Sequence, residues 1–253
     1  MNQVTDQQII EILRKEAVPA LGCTEPVACA LACAKCKEVL GSVPECLDVL
    51  VSGNIYKNGM GVGIPGTGMV GLPIAAALGA VCGKSEYGLE VLKEVNLGDN
   101  LQRAKDMLGQ VTVSLKEDAP DKLYAEALAT KGNDTVKVII VHTHTNIVLV
   151  EKNGEEIFKR EFRLDTSKPE DKGPELSVKR IWDFVHEVDV KDIEFVLQGA
   201  EMNKAISAEG LNSEYGLQIG KTLKENIDKG LLEDDLLNRT LIRATAASDA
   251  RMD

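Results

Sequence analysis

The sequence predicts an α+β protein, a mostly helical part with an inserted antiparallel-sheet α/β subdomain. Three observations carry that expectation. Apolar residues recur at helical spacing before residue 40 and again after residue 176. Between about 110 and 162 they alternate instead, as in Val111, Val113 and Leu115. Lys152-Asn-Gly-Glu155 has the composition of a two-residue hairpin turn. The expected parts are therefore residues 1–82, a helical part with an unusual cysteine turn and a glycine-rich stretch. Residues 83–175 form the inserted α+β subdomain, and 176–253 return to helix.

Composition narrows the function classes. At 253 residues the chain can bury a real core. Aromatics are only 4%, so that core must be built from Ala, Val, Leu and Ile. A formal charge of −11 argues against nucleic acid and anionic membrane surfaces as partners. No apolar run is long enough to span a membrane, and Met-Asn-Gln-Val-Thr-Asp is not a signal pattern, so the expected compartment is cytoplasmic. Six cysteines without a secretory signal read as reduced thiols, with one metal centre as an option.

The first helix is expected over 5–17, capped by Thr5 or Asp6, with Ile9, Ile10, Leu13 and Ala17 on one face. Val18-Pro19 ends it. Ala20-Leu-Gly-Cys-Thr-Glu-Pro26 follows, setting a thiol, a hydroxyl and a carboxylate side by side between a Gly and a Pro. Gly22 permits backbone angles closed to other residues, and Pro26 fits a first helical turn. The apolar run Val27–Cys36 then begins, so the three side chains fall at a helix N-terminus, where the positive dipole end stabilises a thiolate. The plain alternative makes Thr24 an N-cap, Glu25 a first-turn charge and Cys23 a buried thiol.

The second helix runs over 26–40. Cys29, Cys33 and Cys36 share one face of it, but thiols from one straight helix spread along its axis, so core packing is the expected reading. Leu47–Ser52 reads as a short strand. The next stretch, to Gly71, holds seven of the chain's 22 glycines and carries Asn54, Tyr56, Lys57, Asn58 and Thr67. It contains two overlapping GxGxxG matches, but Pro65 lacks an N–H for a phosphate and no helix opens at the glycines, which excludes a dinucleotide fingerprint. Gly79–Ser85 falls one residue short of a P-loop and ends a helix, so it is rejected too. A long loop whose backbone approaches a ligand is the remaining reading.

A small-residue helix over 72–82 follows, then one or two more within 86–108, broken near Asn96–Asn100. Strands are expected at 110–116, 123–130, 135–141, 146–151 and 157–162. His142 and His144, two apart on a strand-like run, would point to one face. Residues 165–175 read as a polar linker with two prolines. Helices are expected over 176–188, 190–209, 213–226 and 234–247. In the tail, Arg251 can hold a carboxylate bidentately beside Ser248 and Asp249, the plain alternative being a helix end with capping side chains.

Five stretches together resemble the iron–sulfur L-serine dehydratase α-chain superfamily, most closely its L-cysteine desulfidase branch. They are Gly22-Cys-Thr-Glu-Pro26, Asn54-Ile-Tyr-Lys-Asn58, Gly63-Ile-Pro-Gly-Thr-Gly68, His144-Thr-Asn-Ile147 and Ser248-Asp-Ala-Arg-Met252. The resemblance implies a [4Fe–4S] cluster held by three cysteines, whose open iron acts on the substrate's leaving group. It implies α,β-elimination of L-cysteine to pyruvate, ammonia and hydrogen sulfide, or the same reaction on L-serine, without pyridoxal phosphate. Cys23 matches a cluster cysteine. Lys57, His144 and Glu25 are the expected catalytic groups. Thr24, Asn54, Asn58, Thr67, Asn146, Ser248, Asp249 and Arg251 are the expected substrate contacts.

The family's other two cluster cysteines lie beyond residue 253. The expectation is that a missing C-terminal part or a second polypeptide supplies them, and that this chain alone is inactive without an intact cluster. Expected partners are a small amino-acid substrate, that missing part and a second copy in a homodimer. A non-catalytic amino-acid-binding fragment is the alternative of a different class. A pyridoxal-phosphate enzyme is disfavoured, since no strand–Lys–Gly phosphate site stands out.

Overall fold

The computed structural model describes residues 4–20, 22–160 and 176–251. The expected linker at 165–175 and the last residues of the expected 157–162 strand lie outside them, as does Met252. The fold is α+β. The chain divides into two compact units, residues 20–164 with 251–253, and residues 1–19 with 165–250.

The first, or sheet, unit begins with α2 (Thr24–Leu40), β1 (Cys46–Val51), α3 (Gly53–Gly59), β2 (Gly63–Ile64), β3 (Met69–Val70) and α4 (Leu72–Val81). A short 3-10 helix over Ser85–Glu90 and α5 (Asn100–Met107) lead into β4 (Val111–Leu115), β5 (Tyr124–Lys131), β6 (Asp134–Val141), β7 (Ile147–Lys152) and β8 (Glu155–Lys159). The six-stranded sheet has the order β4-β1-β5-β6-β7-β8. Its last four strands form the expected antiparallel meander, but β1 pairs in parallel with β4, so the sheet is mixed. The strand that precedes the glycine-rich stretch is thus internal to the sheet, and the helices around it are part of the same core.

That core follows from the alanines. Helix α2 packs against α4 and across β5 and β6. Residues Pro26–Ala34 of α2 are all buried, which only a helix of small side chains between close neighbours permits. At Gly79 a Cβ would lie 2.2 Å from the Ala30 carbonyl oxygen, so the two helices touch backbone to backbone. Cys29, Cys33 and Cys36 lie within this packing, each fully buried. The Cys36 thiol lies 3.5 Å from the carbonyl oxygens of both Ala127 and Val136. Burial pushes the Cys29 thiol up to about 12 and Cys33 well above its ordinary range. These are protonated packing groups.

The glycine-rich stretch departs from the expected open loop. Ser52 caps α3 by accepting from the Ile55 N–H, and Ile55 is buried beneath it. At Gly59 a Cβ would sit 2.4 Å from Leu72 Cδ2, so the glycine lets the helix close onto α4. Beyond it β2 and β3 pair as a two-stranded hairpin. The glycines here serve packing and turns within regular structure.

In the second, helical unit, α1 (Asp6–Glu16) carries a capping box between Thr5 and Gln8. It shares a small core of Val4, Ile9, Ile10 and Phe184 with α6 (Val178–Glu187). Arg180 on α6 donates to the Val4 carbonyl at 2.7 Å and pairs with Asp6. The expected single helix over 190–209 is broken into α7 (Val190–Ile193) and α8 (Val196–Asn212). Helices α9 (Ile219–Asp228) and α10 (Leu236–Arg251) complete the unit. Both α8 and α9 meet α10 at small residues: a Cβ on Gly210 of α8 would lie 1.9 Å from the Ala246 oxygen, and one on Gly220 of α9 2.6 Å from Ala246 Cβ. Among the described residues no helix is long and apolar enough to cross a membrane.

Candidate functional site

The start of α2 holds the candidate site. Gly22 has φ +69, and a Cβ there would fall 2.8 Å from Pro65 Cγ. Its missing side chain lets the cysteine turn and the β2–β3 hairpin close on each other, a role for Pro65 that the sequence reading missed. Cys23, not Thr24, is the extended N-cap residue, and it makes no side-chain cap. Its thiol instead donates to Glu25 Oε2 at 2.8 Å, and the Thr24 hydroxyl stands 3.5 Å from the same oxygen.

The other oxygen of Glu25 is taken from a different motif. Asn58, at the far end of α3, donates its amide to Glu25 Oε1 at 3.2 Å. His144 lies close enough for the two charges to feel each other. Three polar side chains from two stretches therefore hydrogen-bond to one carboxylate, with His144, from a third, within electrostatic range.

The electrostatics differ from a simple helix-dipole picture. Burial raises the Cys23 thiol above its ordinary pKa, and the Glu25 hydrogen bond and charge push the same way. This direction is opposite to the expected dipole-stabilised thiolate and accords with the plain alternative of a thiol: burial comes first, and the Glu25 carboxylate, accepting the thiol's hydrogen bond, adds to it. Burial works against the Glu25 carboxylate, but bonds from Cys23, its own backbone and Asn58, together with His144, outweigh it and hold the pKa below the usual value. For His144 burial lowers the pKa, only partly offset by the Glu25 charge. The site at neutral pH is a thiol, a carboxylate and a neutral imidazole. Such a set can hold an ammonium group and accept a proton.

The remaining expected residues are distributed differently. Lys57 and Asn54 are exposed on α3, and neither hydrogen-bonds to Glu25 among the described residues. The Thr67 hydroxyl is buried, donates to the Ile64 carbonyl at 2.6 Å and accepts from the Met69 N–H at 3.0 Å. It fixes the hairpin, so the Thr67 hydroxyl, an expected substrate contact, is engaged in holding the turn. Asn146 likewise donates to the Val141 carbonyl and accepts from Arg160. His142 and His144 do not share a strand face, because β6 ends at Val141 and His142 turns into the left-handed region at φ +67. Its Nδ1 meets Asp121 Oδ2 at 2.7 Å, a partner no local spacing announces. In the helical unit, the buried Asp249 carboxylate accepts from the Gly220 N–H at the start of α9, while Ser248 is exposed; Arg251, at the end of α10, is exposed too. Asp249 is thereby occupied in helix packing.

The donor set decides what a metal cluster would find here. One thiol, Cys23, stands at the site, and the α2 thiols are sealed in the core. Among the described residues no group of three His, Cys, Asp or Glu is arranged to hold a metal ion. The described residues thus do not fit a three-thiolate cluster by themselves.

The fold and the site define an α+β protein with a half-buried thiol, carboxylate and imidazole centre at a helix start. The chain is 47% identical over 252 residues to a protein from Dichelobacter nodosus designated a UPF0597 protein, covering 99% of this chain and 58% of the relative. A UPF0597 protein of Actinobacillus pleuropneumoniae serotype 3 is 47% identical over 249 residues, or 98% and 57% of the two chains. One from Parabacteroides distasonis is 44% identical over 259 residues, or 100% and 59%. The chain thus spans less than two thirds of the length of these curated relatives. No family model and no solved structure matches it.

Proposed function

We propose that residues 20–160 form part of the active site of an amino-acid lyase that eliminates sulfide from L-cysteine, giving pyruvate and ammonia. The observation that carries this reading is the convergence on Glu25. Cys23 at 2.8 Å, Asn58 at 3.2 Å and His144 come from three of the five stretches on which the resemblance rests.

In this reading Glu25, held ionised, accepts the substrate's ammonium group. The neutral His144 imidazole takes the α-proton, since a general base must be in its unprotonated form at working pH. The bond to the β-sulfur breaks as the α,β double bond forms, hydrogen sulfide departs, and aminoacrylate hydrolyses with one water to pyruvate and ammonia. Asn58 keeps Glu25 in place. The [4Fe–4S] cluster belongs, in this proposal, to the longer protein; Cys23 is the ligand these residues offer it, and no step is derived through the cluster. The cytoplasm, where thiols stay reduced, is the compartment that suits this chemistry.

The test uses anaerobically prepared protein of the relatives' full length. Sulfide and pyruvate formed in equal amounts from L-cysteine support the reading. Pyruvate from L-serine but no sulfide from L-cysteine moves the assignment to a serine dehydratase. Turnover of neither, with calorimetric binding of both amino acids, replaces it with a binding module.

A further inference from the structure

Helix α6 is apolar on two sides, and among the described residues one of them is packed while the other lies exposed. Phe184 faces inward and is 3% exposed, packed with Val4, Ile9 and Ile10, while Arg180 anchors the same side to α1. On the other side Val178, Ile181, Trp182 and Val185 follow each other at i, i+3, i+4 and i+7, one stripe of a helix. All four lie open, at 85%, 45%, 66% and 62% exposure. Four large apolar side chains in one uninterrupted stripe are costly to leave in water and mark a surface that is covered in use. The helix N-terminus is capped by Ser177 and its turns are regular, so the stripe is not a frayed end.

The relatives point to what covers it. They align to nearly all of this chain, yet those residues make up only 58% of the Dichelobacter nodosus protein and 57% of the Actinobacillus one. We infer that the Val178–Ile181–Trp182–Val185 face docks the part of the relatives' polypeptide that this chain does not span, whether it is joined to residues 1–253 or carried by a second polypeptide. The inference is independent of the lyase reading, since it rests on the α6 face and on chain length alone.

The test places a photo-crosslinking amino acid at Ile181 or Val185 in the protein produced in its own cells, with Lys179, off the stripe, as the control position. Mass spectrometry of the linked peptides identifies the occupant. The expected result is linkage from both stripe positions, in large excess over the control, to peptides homologous to the unaligned two fifths of the relatives. Linkage to a second copy of residues 1–253, to residues 20–164 of the same chain or to an unrelated protein overturns the inference. So does the absence of any linkage above the control. Trp182, the single tryptophan of this chain, gives an independent readout. A Trp182→Phe difference spectrum is expected to show a blue-shifted, quencher-protected indole when the occupant is present, and a quenchable one contradicts it.

Discussion

Asn58 hydrogen-bonds Glu25 at 3.2 Å across 33 positions of sequence, on the carboxylate oxygen that Cys23 leaves free. The relationship ties the short α3 helix to the start of α2. It makes Glu25 the hub of the site.

Because the Glu25 bond and charge add to the burial that raises the Cys23 thiol, removing the charge acts in the opposite direction. Glu25→Gln is expected to lower the Cys23 pKa and to speed its alkylation at neutral pH. The pH dependence of iodoacetamide modification, followed on the Cys23 peptide, checks this.

Thiol reactivity is also expected to rank by burial. Cys46 is exposed, Cys23 half-buried, and Cys29, Cys33 and Cys36 wholly enclosed. A native pulse of maleimide should label Cys46 first, Cys23 more slowly, and the three α2 thiols only on unfolding. Peptide mapping after the pulse reads the order.

His144 has its pKa depressed in the folded state by burial. The unfolded chain therefore binds the proton more readily, and stability is gained as pH rises towards the ordinary histidine value and lost as pH falls through the folded pKa. His144→Asn should remove this acid-side slope from a series of urea melts. On the lyase reading it also lowers turnover by roughly 10²–10⁴-fold. Lys57→Ala, at an exposed position without a bond to Glu25, should leave turnover close to wild type.

The α2–α4 contact has no room for a side chain at Gly79, where a Cβ would stand 2.2 Å from backbone. Gly79→Ala is expected to destabilise the sheet unit by about 1–3 kcal/mol, the usual cost of overpacking. Thermal unfolding of the variant beside wild type measures it.

Much of this was legible in the residues. The helix over 24–40, the meander with its Asn153-Gly154 turn, and the burial of the α2 cysteines follow from local composition and periodicity. The misses have a common cause. Glycine content alone does not distinguish an open loop from a helix whose glycines clear its neighbours, as Gly59 clears Leu72. The parallel pairing of β1 with β4 joins strands some sixty residues apart, and no local signal specifies it. Spacing places His142 and His144 on one strand face, whereas β6 ends at Val141, and the positive φ of His142 and its bond to Asp121 take it out of the strand. That Asn58 of α3 reaches Glu25 at the start of α2 is a tertiary contact no local spacing announces, and the burial and carboxylate geometry that raise the Cys23 pKa are not carried by spacing either.

The most direct test of the central claim, that these residues form one amino-acid site, is the rate of sulfide release from L-cysteine by anaerobically prepared, full-length protein and its Glu25→Gln variant. The account predicts sulfide and pyruvate in equal amounts from wild type, with the variant slower by roughly 10²–10⁴-fold. Equal rates from the two proteins, or no release from a wild-type preparation that carries its cluster, would contradict it.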